Sequence, residues 1–253
     1  MSNNFAAFFR LPAKVYAAGL LASFIPILIM GIARINIPTN YYFNWELQLY
    51  QFCYAANGCD IFENGNGFFY ANPFECRANN PRIYSHLFPL LAGYLWKLSG
   101  LPIMFVYFPL RIFFGILLAI SLWHLTAIFF KERRILNTAF FSLMFCGGIS
   151  GWVAFAFLIA RKINLAQFLY YTNRFEGMAT WWFLSIFRNF FYATETLYHF
   201  LFIATLVFIL KRYWKLSLLC LALTLYASPF AGFELSLVYI SYFFLSYFIV
   251  KEG

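Results

Sequence analysis

The chain has 253 residues, of which 63% are hydrophobic, 24% are aromatic and only 11% are charged. This apolar content exceeds that of ordinary soluble domains and predicts an integral membrane protein. The formal charge of +9 comes from short basic clusters between apolar runs. With no nucleic-acid-binding motif, that pattern indicates membrane orientation rather than an RNA or DNA partner.

Apolar runs follow one another along nearly the whole chain. A spanning helix needs about 20 predominantly apolar residues. The sequence therefore predicts an all-α, polytopic membrane helical bundle, folded as a single transmembrane domain over residues 1–253. About six spans are expected, at about 15–33, 104–130, 135–160, 192–210, 216–230 and 233–250.

Two longer segments between the spans are predicted to face outward. A long outer loop at about 34–85 follows the first span and leads into a short amphipathic helix at about 86–99. A second outer loop at about 161–191 carries an interfacial helix just before the fourth span. The basic clusters place the N-terminus in the cytoplasm, as expected for a protein of the cytoplasmic (inner) membrane.

Three cysteines, Cys53, Cys59 and Cys76, fall in the first outer loop. In an oxidising compartment Cys53 and Cys59 could close a small disulfide loop, with Cys76 unpaired or in place of one of them. Their irregular spacing makes a zinc site the weaker alternative. The sequence identifies no metal ligands.

Charged residues inside or beside a span need a partner or a purpose, because each costs about 2.5 to 3.5 kcal/mol at the membrane centre. Arg111 lies near the outer end of the second span, where it either snorkels to the interface or binds an anion such as phosphate. Glu234 lies near the outer end of the sixth span. It either caps the helix or adds an acid to a cavity.

Four polar residues, Arg188, Tyr192, Glu195 and His199, are spaced i, i+4, i+7 and i+11. On a continuous helix this spacing places them on one face. Such a polar stripe is either a hydrogen-bond ladder to a neighbouring helix or the wall of a groove that binds the polar head of a lipid-linked substrate.

One carboxylate, Glu46, lies among aromatic rings in "TNYYFNWELQLYQF". From there the order of motifs resembles the GT-C superfamily of glycosyltransferases, which use polyprenyl-phosphate-linked sugars. Glu46 resembles the family's acid after the first span, and "NNPRIYSHLFPLLAGYLWKLSGLP", with Arg82 and Tyr84, resembles its loop exit. The segment "PLRIFFGILLAISLWHL", with Arg111, resembles its arginine helix.

The resemblance implies a glycosyltransferase that moves a sugar from a polyprenyl-phosphate donor to an acceptor on the outer face of the membrane. Glu46 would accept the acceptor's proton, because an apolar setting raises a carboxyl pKa towards the working pH. The substrate-binding residues would be Arg82, Tyr84, Arg111, Arg188, Tyr192, Glu195, His199 and Glu234. No cofactor is required with certainty, and a divalent metal is compatible with this chemistry.

The alternative function is that of a non-catalytic integral membrane subunit that binds lipid or acts as a scaffold. In that case Glu46 is an acid at the start of an interfacial helix, and the surrounding rings form an aromatic belt at the head groups. Membrane lipids are expected partners in either case. The residues specify no oligomeric state.

Overall fold

The structure, a computed structural model, describes residues 8–35, 49–63, 67–71, 81–83, 85–145, 190 and 192–251. The predicted interfacial helix before the fourth span lies outside these residues. The described chain folds into eight helices, and they are α1 Ala13–Ile35, α2 Leu49–Glu63, α3 Leu87–Ser99, α4 Ile103–Phe129, α5 Arg133–Phe145, α6 Ala193–Leu210, α7 Trp214–Ala227 and α8 Pro229–Lys251.

Three of these helices are long and apolar enough to span a membrane: α4 over Phe105–Phe129, α6 over Ala193–Leu210 and α8 over Pro229–Tyr247. They coincide with the second, fourth and sixth predicted spans, and they support a membrane protein with an all-helical fold. The fifth predicted span corresponds to α7. Its 14 residues reach roughly 20 Å, which is less than the hydrocarbon thickness of about 30 Å.

The first and third predicted spans begin with helices, α1 and α5, whose described parts do not establish complete crossings. The count of six spans therefore stays a prediction. By contrast, α3 confirms the amphipathic helix predicted at about 86–99. The segment predicted as a long loop at about 34–85 contains the 15-residue helix α2.

The chain divides into two compact units. Unit 1 comprises Met1–Trp45 and Gly115–Thr196, and unit 2 comprises Glu46–Phe114 and Leu197–Gly253. The boundaries fall inside α4 and α6, so each of these helices contributes to both units.

In unit 1, α1 crosses α4 at glycines that allow very close approach. A Cβ on Gly19 would lie 2.8 Å from the Cα of Ile116, and a Cβ on Gly115 would overlap the hydroxyl of Ser23. Trp123 of α4 packs edge-on against Phe140 of α5, with ring centroids 5.2 Å apart. Small residues suit such crossings, because helices in lipid associate through close packing rather than through exclusion of water.

In unit 2, α2 and α3 pack side by side and run in the same direction. Their order is shown by three successive contacts along both helices, namely Tyr54 with His86, Gly58 with Gly93 and Phe62 with Tyr94. The crossing is formed by the two glycines, since a Cβ on Gly93 would overlap the carbonyl oxygen of Gly58. The helix α3 ends at Gly100, whose positive φ of 66° favours glycine.

Helices α7 and α8 of unit 2 form a tight hairpin. Ser228 separates them, and Pro229 occupies the first position of α8, where its missing N–H costs nothing. The hydroxyls of Ser217 and Tyr239 lie 3.1 Å apart across the hairpin. Most of α8 is exposed, including Phe230 at 87%.

Candidate functional site

Arg111, a residue of unit 2, is buried, although it belongs to a helix apolar enough to span a membrane. Only 2% of its surface is exposed, and it is the bulkiest fully buried side chain among the described residues. An arginine that snorkels to the interface would expose its aliphatic stem and its head group. The protein surrounds this side chain instead, which argues against snorkelling.

The N-terminal turn of α3 packs on the part of α4 that carries Arg111. Phe88, which is fully buried, lies edge-on to Tyr107 with ring centroids 5.0 Å apart. Tyr107 and Arg111 are four residues apart on α4, so they share one face of that helix. The predicted loop exit therefore contacts α4 one turn before Arg111, within unit 2.

Three members of the predicted polar stripe lie at the start of α6. Tyr192 directly precedes the helix, and its backbone carbonyl oxygen accepts a hydrogen bond from the backbone N–H of Thr196 at 2.9 Å. Glu195 is half-buried in the first turn, where the helix dipole favours a carboxylate. His199, one turn further, is 1% exposed. Burial of Tyr192 and His199 shows that this stripe faces protein, and Arg188 lies outside the described residues.

Two predicted site residues are exposed. Arg82 lies on the surface before α3, and Glu234 is exposed on α8. Because α8 begins at Pro229, Glu234 falls in its second turn rather than at its cap. The dipole effect fades within the first turn, so it does not explain Glu234. The remaining predicted residues, Glu46 and Tyr84, lie outside the described residues.

His86 has a defined structural role that the sequence prediction missed. Its Nδ1 accepts the backbone N–H of Phe88 at 3.2 Å and so caps the N-terminus of α3. This bond requires Nδ1 to be unprotonated, which leaves Nε2–H as a donor. Burial lowers the pKa of His86 to about 4. The ring of Tyr54 lies 4.7 Å away and holds the imidazole in place.

Asn57 of α2 is a second polar residue that the prediction overlooked. It is 6% exposed, and its Nδ2 has no hydrogen-bond partner among the described residues. An unpaired buried donor costs about 1 to 3 kcal/mol. A water or a ligand hydroxyl that accepts a hydrogen bond from Nδ2 would remove that cost. Asn57 lies one turn after Tyr54 in α2.

The cysteines of α2 do not form the disulfide that was considered. Cys59 is a free thiol. Cys53 lies six residues earlier in the same helix, about 9 Å away along the axis, beyond the Cα separation that a disulfide allows. Burial, with Glu63 and Asp60 nearby, raises the pKa of Cys59, so its thiol is held in the less reactive protonated form.

The described residues contain no group of three histidine, cysteine or acidic side chains that could hold a metal ion. Comparison of the chain with protein families, with curated proteins and with solved structures found no match. The resemblance to GT-C glycosyltransferases therefore rests on the residues and their order alone.

Proposed function

We propose that this chain is a membrane glycosyltransferase that moves a sugar from a polyprenyl-phosphate donor to an acceptor. The reaction would take place at the outer face of a cytoplasmic membrane, with the N-terminus in the cytoplasm. The observation that supports this proposal best is the burial of Arg111 inside the protein. Ionisable residues enclosed in membrane helices are rare and mark substrate or ion sites.

Phosphate is the anion that suits a buried arginine. The guanidinium stays charged when desolvated, and its planar fork donates two parallel hydrogen bonds to a phosphate. In the proposed reaction the acceptor hydroxyl forms a bond to the anomeric carbon of the sugar while the bond from that carbon to the phosphate oxygen breaks. Glu46 takes the hydroxyl proton, and Arg111 stabilises the charge on the departing polyprenyl phosphate.

The other predicted residues have supporting roles in this proposal. Arg82 and Arg188 are further cations for the phosphate, and Tyr84 and Glu234 contact the substrate. The stripe formed by Tyr192, Glu195 and His199 lines the groove for the polar head of the donor.

The experiment compares lipids that co-purify with wild type, Arg111→Ala and Glu46→Gln in mild detergent, identified by native mass spectrometry. A charged hydrogen bond contributes about 1.5 to 3 kcal/mol, so Arg111→Ala should reduce recovery of a polyprenyl-phosphate species about 10-fold to 100-fold. Glu46→Gln should retain that species with its sugar intact, because only the proton acceptor is lost.

Thr126→Val is the matched control. Thr126 is a buried polar residue of the same helix whose hydroxyl bonds the carbonyl of Leu122 at 2.6 Å. Its replacement should leave the recovered lipids unchanged. Recovery of bulk phospholipid alone, unaffected by Arg111→Ala and Glu46→Gln, would contradict the proposal.

That contrary outcome would favour the alternative function, a non-catalytic subunit that binds lipid or acts as a scaffold. One observation supports this alternative. Helix α8 exposes large apolar side chains along its whole described length, from Phe230 to Tyr247. Lipid or a partner helix would have to cover them.

A further inference from the structure

The N-terminal segment, α4 and α5 meet at one end of unit 1. His124 of α4 bonds the backbone carbonyl of Phe8 through Nε2 at 2.8 Å, and the two rings stack with centroids 4.2 Å apart. Lys14, at the start of α1, donates to the side-chain oxygen of Asn137 in α5. Its ammonium also lies 5.1 Å from the ring centroid of Trp123. These contacts hold the N-terminal segment against the turn between α4 and α5.

Positive charge is concentrated at this end. We define the basic end of unit 1 as Arg10, Lys131, Arg133 and Arg134, all of which are exposed. Glu132 is the carboxylate between them, so four cations and one anion leave three net positive charges. Lys131 already donates to the carbonyl of Ala127 at 3.1 Å. The three arginines present their guanidinium groups to the surroundings.

The basic end lies at the membrane depth that lipid head groups occupy. The apolar window of α4 ends at Phe129, which is 66% exposed, and Phe130 is 41% exposed. Arg133 and Arg134 follow within five residues. Since the head-group layer is about 5 to 8 Å thick on each side of the hydrocarbon, these arginines reach it directly from the end of the span.

We propose that the basic end of unit 1 binds the head group of an anionic phospholipid, whose acyl chains pack beside Phe129 and Phe130. Arginine forks donate bidentately to phosphate oxygens, whether these belong to a lipid or to a soluble anion. The exposed phenylalanines support a lipid over a soluble anion, because they offer acyl chains an apolar surface. A basic group beside a membrane attracts anionic lipid with about fivefold gain in affinity per residue. The proposal does not depend on the glycosyltransferase function.

The test is native mass spectrometry of the full chain in detergent, titrated with dioleoyl-phosphatidylglycerol or dioleoyl-phosphatidylcholine. The wild type should bind the anionic lipid more tightly than the zwitterionic one. The double variant Arg133→Gln/Arg134→Gln should lose about 25-fold of that affinity, and Arg133→Lys/Arg134→Lys should keep most of it because the charge is retained.

A matched pair, Lys97→Gln/Lys215→Gln, removes two exposed charges from unit 2. It should keep the wild-type preference for phosphatidylglycerol. An equal loss in this pair would show a net-charge effect and overturn the proposal. Binding of soluble glycerol phosphate as tight as that of phosphatidylglycerol would also overturn it, because the acyl chains would then contribute nothing. All variants are first compared with wild type by thermal unfolding without added lipid.

Discussion

The crossing of α2 and α3 should be highly sensitive to one added methyl group. In Gly93→Ala, the new Cβ overlaps the carbonyl oxygen of Gly58 and lies 3.0 Å from its carbonyl carbon, whereas ordinary contact begins at 3.4 Å. Gly58 has no side chain that could move aside, so the two backbones must separate by up to about 1 Å. A gap of that size forfeits a quarter to a half of the dispersion energy at the contact.

The expected loss follows from two opposing terms. Overpacking costs about 1 to 3 kcal/mol, and alanine gains about 1 kcal/mol over glycine inside a helix. Gly93→Ala should therefore lower the free energy of unfolding by up to about 2 kcal/mol. Unfolding can be followed by far-ultraviolet circular dichroism during titration of the detergent-solubilised protein with a denaturing detergent.

The control is Leu98→Ala in the same helix, where the side chain is 83% exposed. A surface change of this kind should alter stability by no more than about 0.5 kcal/mol. A Gly93→Ala protein that is more stable than wild type by its helix-propensity gain would refute the reasoning, since α2 and α3 could not then be in backbone contact.

Two further predictions concern Gly115 and His86. Gly115→Ala overlaps the Ser23 hydroxyl and, after the same gain in helix propensity is subtracted, should destabilise by up to about 2 kcal/mol. In a Ser23→Ala background, a double-mutant cycle of unfolding free energies should show coupling above about 0.5 kcal/mol, and additive losses would contradict the crossing. Because the pKa of His86 is about 4 against an ordinary 6.5, its stabilisation of α3 is complete above pH 6.5. It falls by at most about 3 kcal/mol as the pH drops to 4. Amide exchange at Phe88 should report this change, and His86→Asn, a cap that does not titrate, should remove the pH dependence.

The helix α3 was predictable because local signals agree over its whole length. An apolar run with helical spacing ends at Gly100, which supplies the left-handed cap. The sequence prediction of about 86–99 differs from the observed bounds by one residue at the start. Its N-cap was not predictable from preferences, since serine, threonine, aspartate and asparagine are the favoured capping residues and His86 is not among them.

The helix α2 was expected only in the alternative function, as an interfacial helix beginning at Glu46, and its middle contains Asn57 and Gly58, a pair that ordinarily indicates a turn. The structure supplies a different reason for the glycine, which is the close approach of Gly93 on α3. That reason depends on a neighbour 35 residues further along the chain. Periodicity within one segment cannot reveal a contact of this kind.

The burial of Arg111 likewise could not be deduced from its position in an apolar run, where snorkelling and enclosure are equally compatible with the sequence. The distinction is nevertheless the one that bears most on function. Glycines explain how the helices approach each other in both units, since tight crossings replace the hydrophobic driving force that lipid removes. The same account gives no reason to enclose a guanidinium, because an apolar side chain of similar volume would pack there without the desolvation cost. Phosphate matches the guanidinium in both charge and geometry, which makes it the anion proposed for Arg111.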